Sequence, residues 1–220
     1  MDIREYICSR AALELNDGEV VNLGFGMPVG IVNYIEGIDV ILQSENGCLR
    51  MGPTPKKGTQ SANNGNAAGF PITLLPGASI FDACVSFGII RGGHVDATIL
   101  GALEVDQEGS IANWGMEVAP NRFSPGPGGA MDLVSGANKV VAVLQHTDKK
   151  GNSKILKKCT MNLTGKGCLD VIITEKAVFH VGDGVLILKE IAPGLTVEDI
   201  KAITEADFTV APDVCEYRQS

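Results

Sequence analysis

Three observations predict an α/β fold built on a mainly parallel sheet. Short apolar runs of strand character alternate with segments of helical periodicity along the chain. The first alternation places a strand at 19–23, a helix at 28–36 and a strand at 40–42, a βαβ unit, which requires parallel strands. Hydrophobic residues make up 45% and charged residues 20% of 220 residues, enough apolar mass for a large core. No repeat, low-complexity tract or linker interrupts the pattern, so residues 1–220 read as one domain.

Asp2 to Leu15 reads as a helix. Asp2 and Glu5 fit a capping box, apolar residues recur at Ile3, Tyr6, Ile7 and Ala11, and Gly18 follows the end. Glu19 to Leu23 is the first strand. Pro28 suits a first helical turn, so a second helix is expected from Pro28 to Glu36, closed by Gly37. Val40-Ile41-Leu42 is the next strand. Residues 52–71 are rich in Gly, Pro, Asn and Lys and form a surface excursion. Phe81 to Ile90 reads as a helix capped by Ser79 and stopped by Gly92-Gly93. Strands are expected at 97–105 and 139–145, separated by a glycine- and proline-rich stretch at 106–130 that holds Trp114; a loop that long in a compact domain is usually functional. Ala130 to Ser135 reads as a short helix. Strands follow at 170–174, 177–181 and 184–190, then a helix from Thr196 to about Ile203 and a short tail.

Charge and composition narrow the function. The net charge is −8, from 26 acids and 18 bases, without a polybasic run, so nucleic acid and anionic membranes are not expected partners. No run approaches the ~18 apolar residues of a membrane span, and the charged start lacks a signal peptide's apolar centre, so a cytoplasmic location is expected. The six cysteines show no Cys-x-x-Cys spacing and read as reduced, mostly buried thiols, with Cys48 the one candidate for reactivity. His94, His146 and His180 have no metal-ligand spacing.

Glu45 is the most informative residue. It follows an apolar strand and precedes Asn46-Gly47, so it lies where a strand runs out, the place where open α/β sheets bind ligands. The residues alone leave two readings open: a nucleophile or base, or a solvated loop acid. Gly24-x-Gly26 sits between a strand and a helix start, a geometry that binds anions. A dinucleotide site fails in detail, because Val29 stands where the third glycine belongs and Pro28 occupies the turn. Gly126-Pro127-Gly128-Gly129-Ala130 permits close approach of backbone to a ligand, or is simply a flexible turn. Arg91-Gly92-Gly93-His94-Val95-Asp96 reads as a helix stop and strand start, with catalysis by His94 and Asp96 the lesser alternative.

Six blocks in order carry a resemblance: Asn22-Leu23-Gly24-Phe25-Gly26-Met27-Pro28, Gln43-Ser44-Glu45-Asn46-Gly47, Ile90 to Asp96, Leu100 to Asp106, Ile111-Ala112-Asn113-Trp114, and Gly128 to Val134; Lys154 to Thr160 is also similar. The chain resembles the β subunit of bacterial class I CoA-transferases, the 3-oxoacid and acetate/butyrate–acetoacetate enzymes. The resemblance implies an open, mixed but mainly parallel sheet with helices on both faces, as in CoA-transferases and sugar-phosphate isomerases. It implies Glu45 as nucleophile and CoA or oxyanion contacts from Gly24, Gly26, Asn46, Gly47, Gly126, Gly128, Gly129 and Ala130. It further implies a cytoplasmic complex with an α subunit, as αβ or α2β2. Coenzyme A and short-chain carboxylates would be substrates, with no metal or other cofactor. The chain departs from the family at Pro127, at 66–71 and in the length of 115–125, all in loops that would shape the acyl pocket or its lid. Two other readings use the same residues: a sugar-phosphate isomerase with Glu45 as general base, and a non-catalytic domain sensing a phosphorylated metabolite.

Overall fold

The structure, a computed structural model, describes residues 2–219. Fifteen strands and four α-helices follow one another among these residues. Helix α1 (Ile3–Ala12) leads into β1 (Val20–Leu23), a 3-10 helix (Met27–Asn33), β2 (Ile41–Ser44), β3 (Cys48–Met51) and β4 (Leu74–Ile80). Then come α2 (Ala83–Arg91), β5 (Ala97–Gly101), β6 (Glu104–Asp106), β7 (Ile111–Ala112), β8 (Met116–Ala119), β9 (Arg122–Ser124), α3 (Ala130–Gly136) and β10 (Lys139–Val143). The last part holds β11 (Ile155–Leu156), β12 (Val171–Ile173), β13 (Ala177–Gly182), β14 (Val185–Ile191), α4 (Val197–Ile203) and β15 (Phe208–Glu216).

Ten strands form an open mixed sheet in the order β15-β14-β13-β12-β10-β5-β1-β2-β3-β4. Its centre, β12-β10-β5-β1-β2, is parallel throughout. Both margins contain antiparallel pairs. Strand alternation sends side chains to two cores. Val140, Ala142 and Leu144 join one, with Ile90 of α2, Leu133 of α3 and Ile200 of α4. Val141 and Val143 join the other, with Ile7 and Ala11 of α1 and Ile31 of the 3-10 helix. A strand buried on both faces carries continuous apolar residues, which is why 140–144 reads as an unbroken run.

Local chemistry explains most elements. Asp2 and Glu5 form the capping box of α1, each side chain accepting from the other's backbone N–H at 2.8 Å. Thr196 and Asp199 do the same for α4. The segment expected as an α-helix over 28–36 is instead a 3-10 helix, Met27–Asn33, whose β-branched Val29, Ile31 and Val32 and Gly30 are poor α-formers. Ser79 lies in β4 and caps nothing; Asp82 caps α2, its carboxylate accepting from Val85 N–H at 3.0 Å. The single strand expected over 97–105 is two, because the chain leaves the main sheet at Gly101 and β6 joins a smaller sheet with β7 and β11. The stretch expected as a loop at 106–130 holds β7 and the hairpin β8–β9. The tail is β15, parallel to β14 with a shifted register near Lys189; it hid because Pro212 and polar residues break its pattern, which an edge strand tolerates.

The cysteines are all free thiols, yet only Cys8 and Cys48 are buried; Cys84 and Cys215 are exposed, against the expectation of mostly buried ones. Asp96 is structural: its carboxylate accepts from Val20 N–H at 2.8 Å and fixes the start of β1 against β5.

A buried charge cluster ties α1 to the far side of the sheet. Arg10 is fully buried, and its guanidinium bonds Glu190 of β14 at 2.7 and 3.0 Å and Glu14 at 2.7 Å. Lys139 also reaches Glu14, and Arg218 reaches Glu190. Burial raises the pKa of each glutamate, but the hydrogen bonds and charges of these cations outweigh it and hold both carboxyls below the usual range.

Candidate active site

The site lies at the carboxyl ends of β5, β1 and β2. Strand β1 has β2 on one side and β5 on the other, so the progression of the chain through the sheet reverses there, and a crevice opens above such a switch point. The crevice is a cavity of about 430 Å³.

Glu45 sits at the tip of a tight hairpin. Ser44 pairs with Cys48, and Ser44 C=O accepts from Gly47 N–H at 2.9 Å, so only Glu45, Asn46 and Gly47 join the strands. Gly47 has φ +123°, and a Cβ there would lie 1.9 Å from Phe81 O. A side chain is therefore excluded, and Gly47 N–H is engaged within the turn. Glu45 is half-buried and is the one ionisable side chain lining the cavity among the described residues. Asn22 Nδ2 donates to Glu45 Oε2 at 3.1 Å and to Gln43 Oε1 at 2.7 Å, while Gln43 Nε2 donates to Ser86 Oγ at 3.0 Å. This chain of amides holds the carboxylate in one orientation. Asn22 and Gln43 stood within recognised blocks but carried no assigned role, because the contact between β1 and β2 side chains exists only after the sheet is paired.

The glycine block, just before α3, reaches the same cavity. Gly126, Gly128, Gly129 and Ala130 line the cavity, and a Cβ on Gly129 would stand 2.9 Å from Phe87 Cζ and 3.4 Å from Glu45 Cγ. Close packing there requires glycine. Among the described residues no protein acceptor takes the N–H of Gly126, Gly128 or Gly129, whereas Ala130 N–H bonds Pro127 O at 3.2 Å. The cavity is thus lined by a carboxylate and by glycines whose N–H groups no protein acceptor takes.

The other expected residues fall differently. Gly24 lines the cavity, but its N–H bonds Ile99 O at 2.8 Å, so it packs β1 on β5 and donates to no ligand. Gly26 lies outside the lining, at the start of the 3-10 helix with φ +91°. Asn46 also lies outside; its Nδ2 donates to Gly65 O at 2.8 Å and anchors the excursion over 52–73. Cys48 is buried outside the cavity, and burial pushes its thiol pKa up, which disfavours the reactive thiolate. Asn113 lines the cavity, while Trp114 points away, its Nε1 donating to Leu163 O at 3.4 Å.

Comparison with known proteins gives this geometry a lineage. Residues 4–202 match the coenzyme A transferase family. The β subunit of an acetate CoA-transferase of Haemophilus influenzae is 49% identical over 221 residues, covering all of this chain and 97% of its own. One subunit of a succinyl-CoA:3-ketoacid coenzyme A transferase of Helicobacter pylori is 45% identical over 208 residues, 94% of this chain and 99% of its own. Among solved structures, the apoenzyme of the acyl-CoA transferase YdiF from Escherichia coli O157:H7 superimposes with a TM-score of 0.77 at 25% identity; it covers 99% of this chain, which spans 43% of that longer one. The decarboxylase AibA/AibB has a TM-score of 0.67 at 20% identity over the whole of this chain and 90% of its own, a likeness of fold alone. Matched along nearly its whole length by the family and by relatives at almost half identity, this chain belongs to the coenzyme A transferase family.

Proposed function

We propose that Glu45 is the nucleophile of a ping-pong transfer of coenzyme A between an acyl-CoA and a short-chain carboxylic or 3-oxo acid. The chain is a CoA-transferase subunit of the β type, like its full-length relatives. One observation carries the mechanism: a single carboxylate, oriented by Asn22, faces the glycine block across an otherwise uncharged cavity. A carboxylate is ionised at neutral pH and needs no general base to attack a thioester carbonyl.

Attack by Glu45 on the acyl-CoA carbonyl forms a tetrahedral oxyanion, for which the N–H groups of Gly128 and Gly129, taken by no protein acceptor, are the candidate donors. One such donor is typically worth ~10²–10³ in rate. Collapse breaks the C–S bond, releases the CoA thiolate and leaves an acyl–glutamyl anhydride. The thiolate attacks the glutamyl carbonyl, and the donor acid departs as its carboxylate, leaving a glutamyl–CoA thioester. The acceptor carboxylate then attacks this thioester, and the same two steps in reverse yield the new acyl-CoA and free Glu45. These steps need no metal or redox cofactor.

The working enzyme is a cytoplasmic complex of this chain with an α subunit, as αβ or α2β2. The outer edge of the sheet supports a partner: β4 leaves Leu74, Leu75 and Ile80 exposed, with Ile80 at 66%.

The test is covalent. The assembled enzyme, given acyl-CoA without acceptor, traps CoA on Glu45 by peptide mass spectrometry; CoA on Cys48, or on nothing, refutes the assignment. Glu45→Ala abolishes transfer. Glu45→Asp withdraws the carboxylate by roughly 1.5 Å, one C–C bond, beyond a near-attack distance of ~3–3.5 Å. It loses most transfer and gains acyl-CoA hydrolysis, read as CoA release without acceptor.

A further inference from the structure

The cavity has two unlike walls. The glycine block and Ala130 come from the face of the sheet that carries α2 and α3, whereas Leu23, Val32 and Met51 belong to the core on the α1 face. With Phe25 and Val29 they make this second wall apolar. Phe25 is 67% exposed, and its ring stacks on that of Phe70, itself 53% exposed, with centroids 6.2 Å apart and planes 8° from parallel.

Phe70 is held there by the hairpin that carries Glu45. The turn at 65–70 is bonded to both neighbours of the glutamate: Ala67 N–H donates to Ser44 Oγ at 3.0 Å, and Asn46 Nδ2 donates to Gly65 O at 2.8 Å. Asn66 stiffens the turn from within, its Oδ1 accepting from Ala68 N–H at 3.0 Å and Phe70 N–H at 2.9 Å. Asn66, Ala67 and Ala68 line the cavity themselves. Phe70 is thus fixed, outside the lining itself, against Phe25, which does line the apolar wall.

We propose that Phe25, held in place by its stack on Phe70, is the end wall that sets the length of the acyl chain this enzyme accepts, restricting it to short chains. The proposal rests on Glu45 being the nucleophile. An acyl group bonded to Glu45 with its carbonyl oxygen toward the glycine block directs its chain toward the apolar wall. Phe25, braced by Phe70, then borders the space in which further methylenes would lie. A methylene accepted or refused by such a pocket changes relative kcat/KM by roughly 10–200-fold.

The test uses the enzyme assembled with its α subunit and measures kcat/KM for acetate, butyrate and hexanoate as acceptors. Phe70→Ala is expected to raise the hexanoate-to-acetate ratio by roughly tenfold or more, and Phe70→Trp to lower it. Val210→Ala, which trims an exposed apolar side chain from β15 at the opposite edge of the sheet, leaves the ratio unchanged. An equal loss on all three acids, an unchanged ratio, or release of the α subunit without a change in ratio each overturns the proposal. Trapping CoA on Glu45 in the same preparations separates the two readings: an unchanged ratio with the adduct present refutes the end wall alone, and no adduct in the unsubstituted enzyme refutes both.

Discussion

Gly47→Ala tests whether the hairpin, and not merely its glutamate, makes the site. A Cβ at this position would lie 1.9 Å from Phe81 O, while real Cβ contacts do not fall below 3.0 Å. The hairpin and the segment before α2 must therefore separate by at least 1.1 Å, the difference between those values. The bond from Phe81 N–H to Gly47 O, now 3.1 Å, opposes that movement, and φ +123° is strained for any residue but glycine. Backbone strain of this kind costs ~1–3 kcal/mol, which for a domain of this size lowers Tm by about 2–12 °C. Glu45 is two residues away, and a displacement near 1 Å costs ~10²-fold in rate. Thermal melts followed by circular dichroism and initial rates of CoA transfer by the assembled enzyme measure both effects. Gly151→Ala is the control: Gly151 has φ +87° but open space around its Cβ, so it should lose a little stability and no turnover. If Gly47→Ala melts normally and keeps more than half of wild-type kcat, the argument from close contact is wrong.

Two further outcomes concern stability. Glu190→Ala leaves the fully buried Arg10 with Glu14 as its remaining carboxylate, a loss of about 3 kcal/mol, so Tm should fall by about 6–12 °C; a fall under ~2 °C would show the cluster to be dispensable. Burial, helped by the charge of Lys176, pushes the pKa of His146 down to about 4, its ring bonded to Thr174 Oγ1 and Thr204 Oγ1. An unfolded histidine titrates near ~6.5, so between these values the unfolded chain holds a proton that the folded chain does not. Stability from this group is fully present above ~6.5 and is lost as pH falls toward 4. His146→Gln should therefore show a flatter dependence of denaturation midpoint on pH across that window, and an unchanged slope would disprove the account. Glu14 and Glu190, held below the usual carboxyl range, lose their contributions at lower pH still.

The periodic and punctuated parts of this chain were legible before any coordinates. Asp2 with Glu5 specified the start of α1, Thr196 that of α4, and the unbroken apolar runs at 140–144 and 171–173 specified strands buried on both faces. Glu45 was legible as an acid at a strand end, because such ends are local features. What misled was also local. Ser79 and Asp82 are both good caps in isolation, and only the pairing of β4 with β3 takes Ser79 into a strand. An edge strand such as β15 needs no alternation that a reader can detect, since one neighbour and backbone hydrogen bonds suffice to define it.

By itself the sequence determined the fold class, the main strand and helix segments of the parallel core and the place of Glu45 at a strand end, since these depend on periodicity and on neighbours along the chain. Tertiary structure alone decided which glycines line the cavity and what each packs against. Gly24, Gly47 and Gly129 look alike in sequence. Yet Gly24 packs against Leu100, Gly47 against the Phe81 carbonyl, and Gly129 against Phe87 and Glu45. It also decided that Asn22 orients Glu45 across 23 positions of sequence and that Phe25, which lines the cavity, meets Phe70. Such contacts join residues on different strands and loops, and no local rule of spacing encodes them until the sheet has assembled.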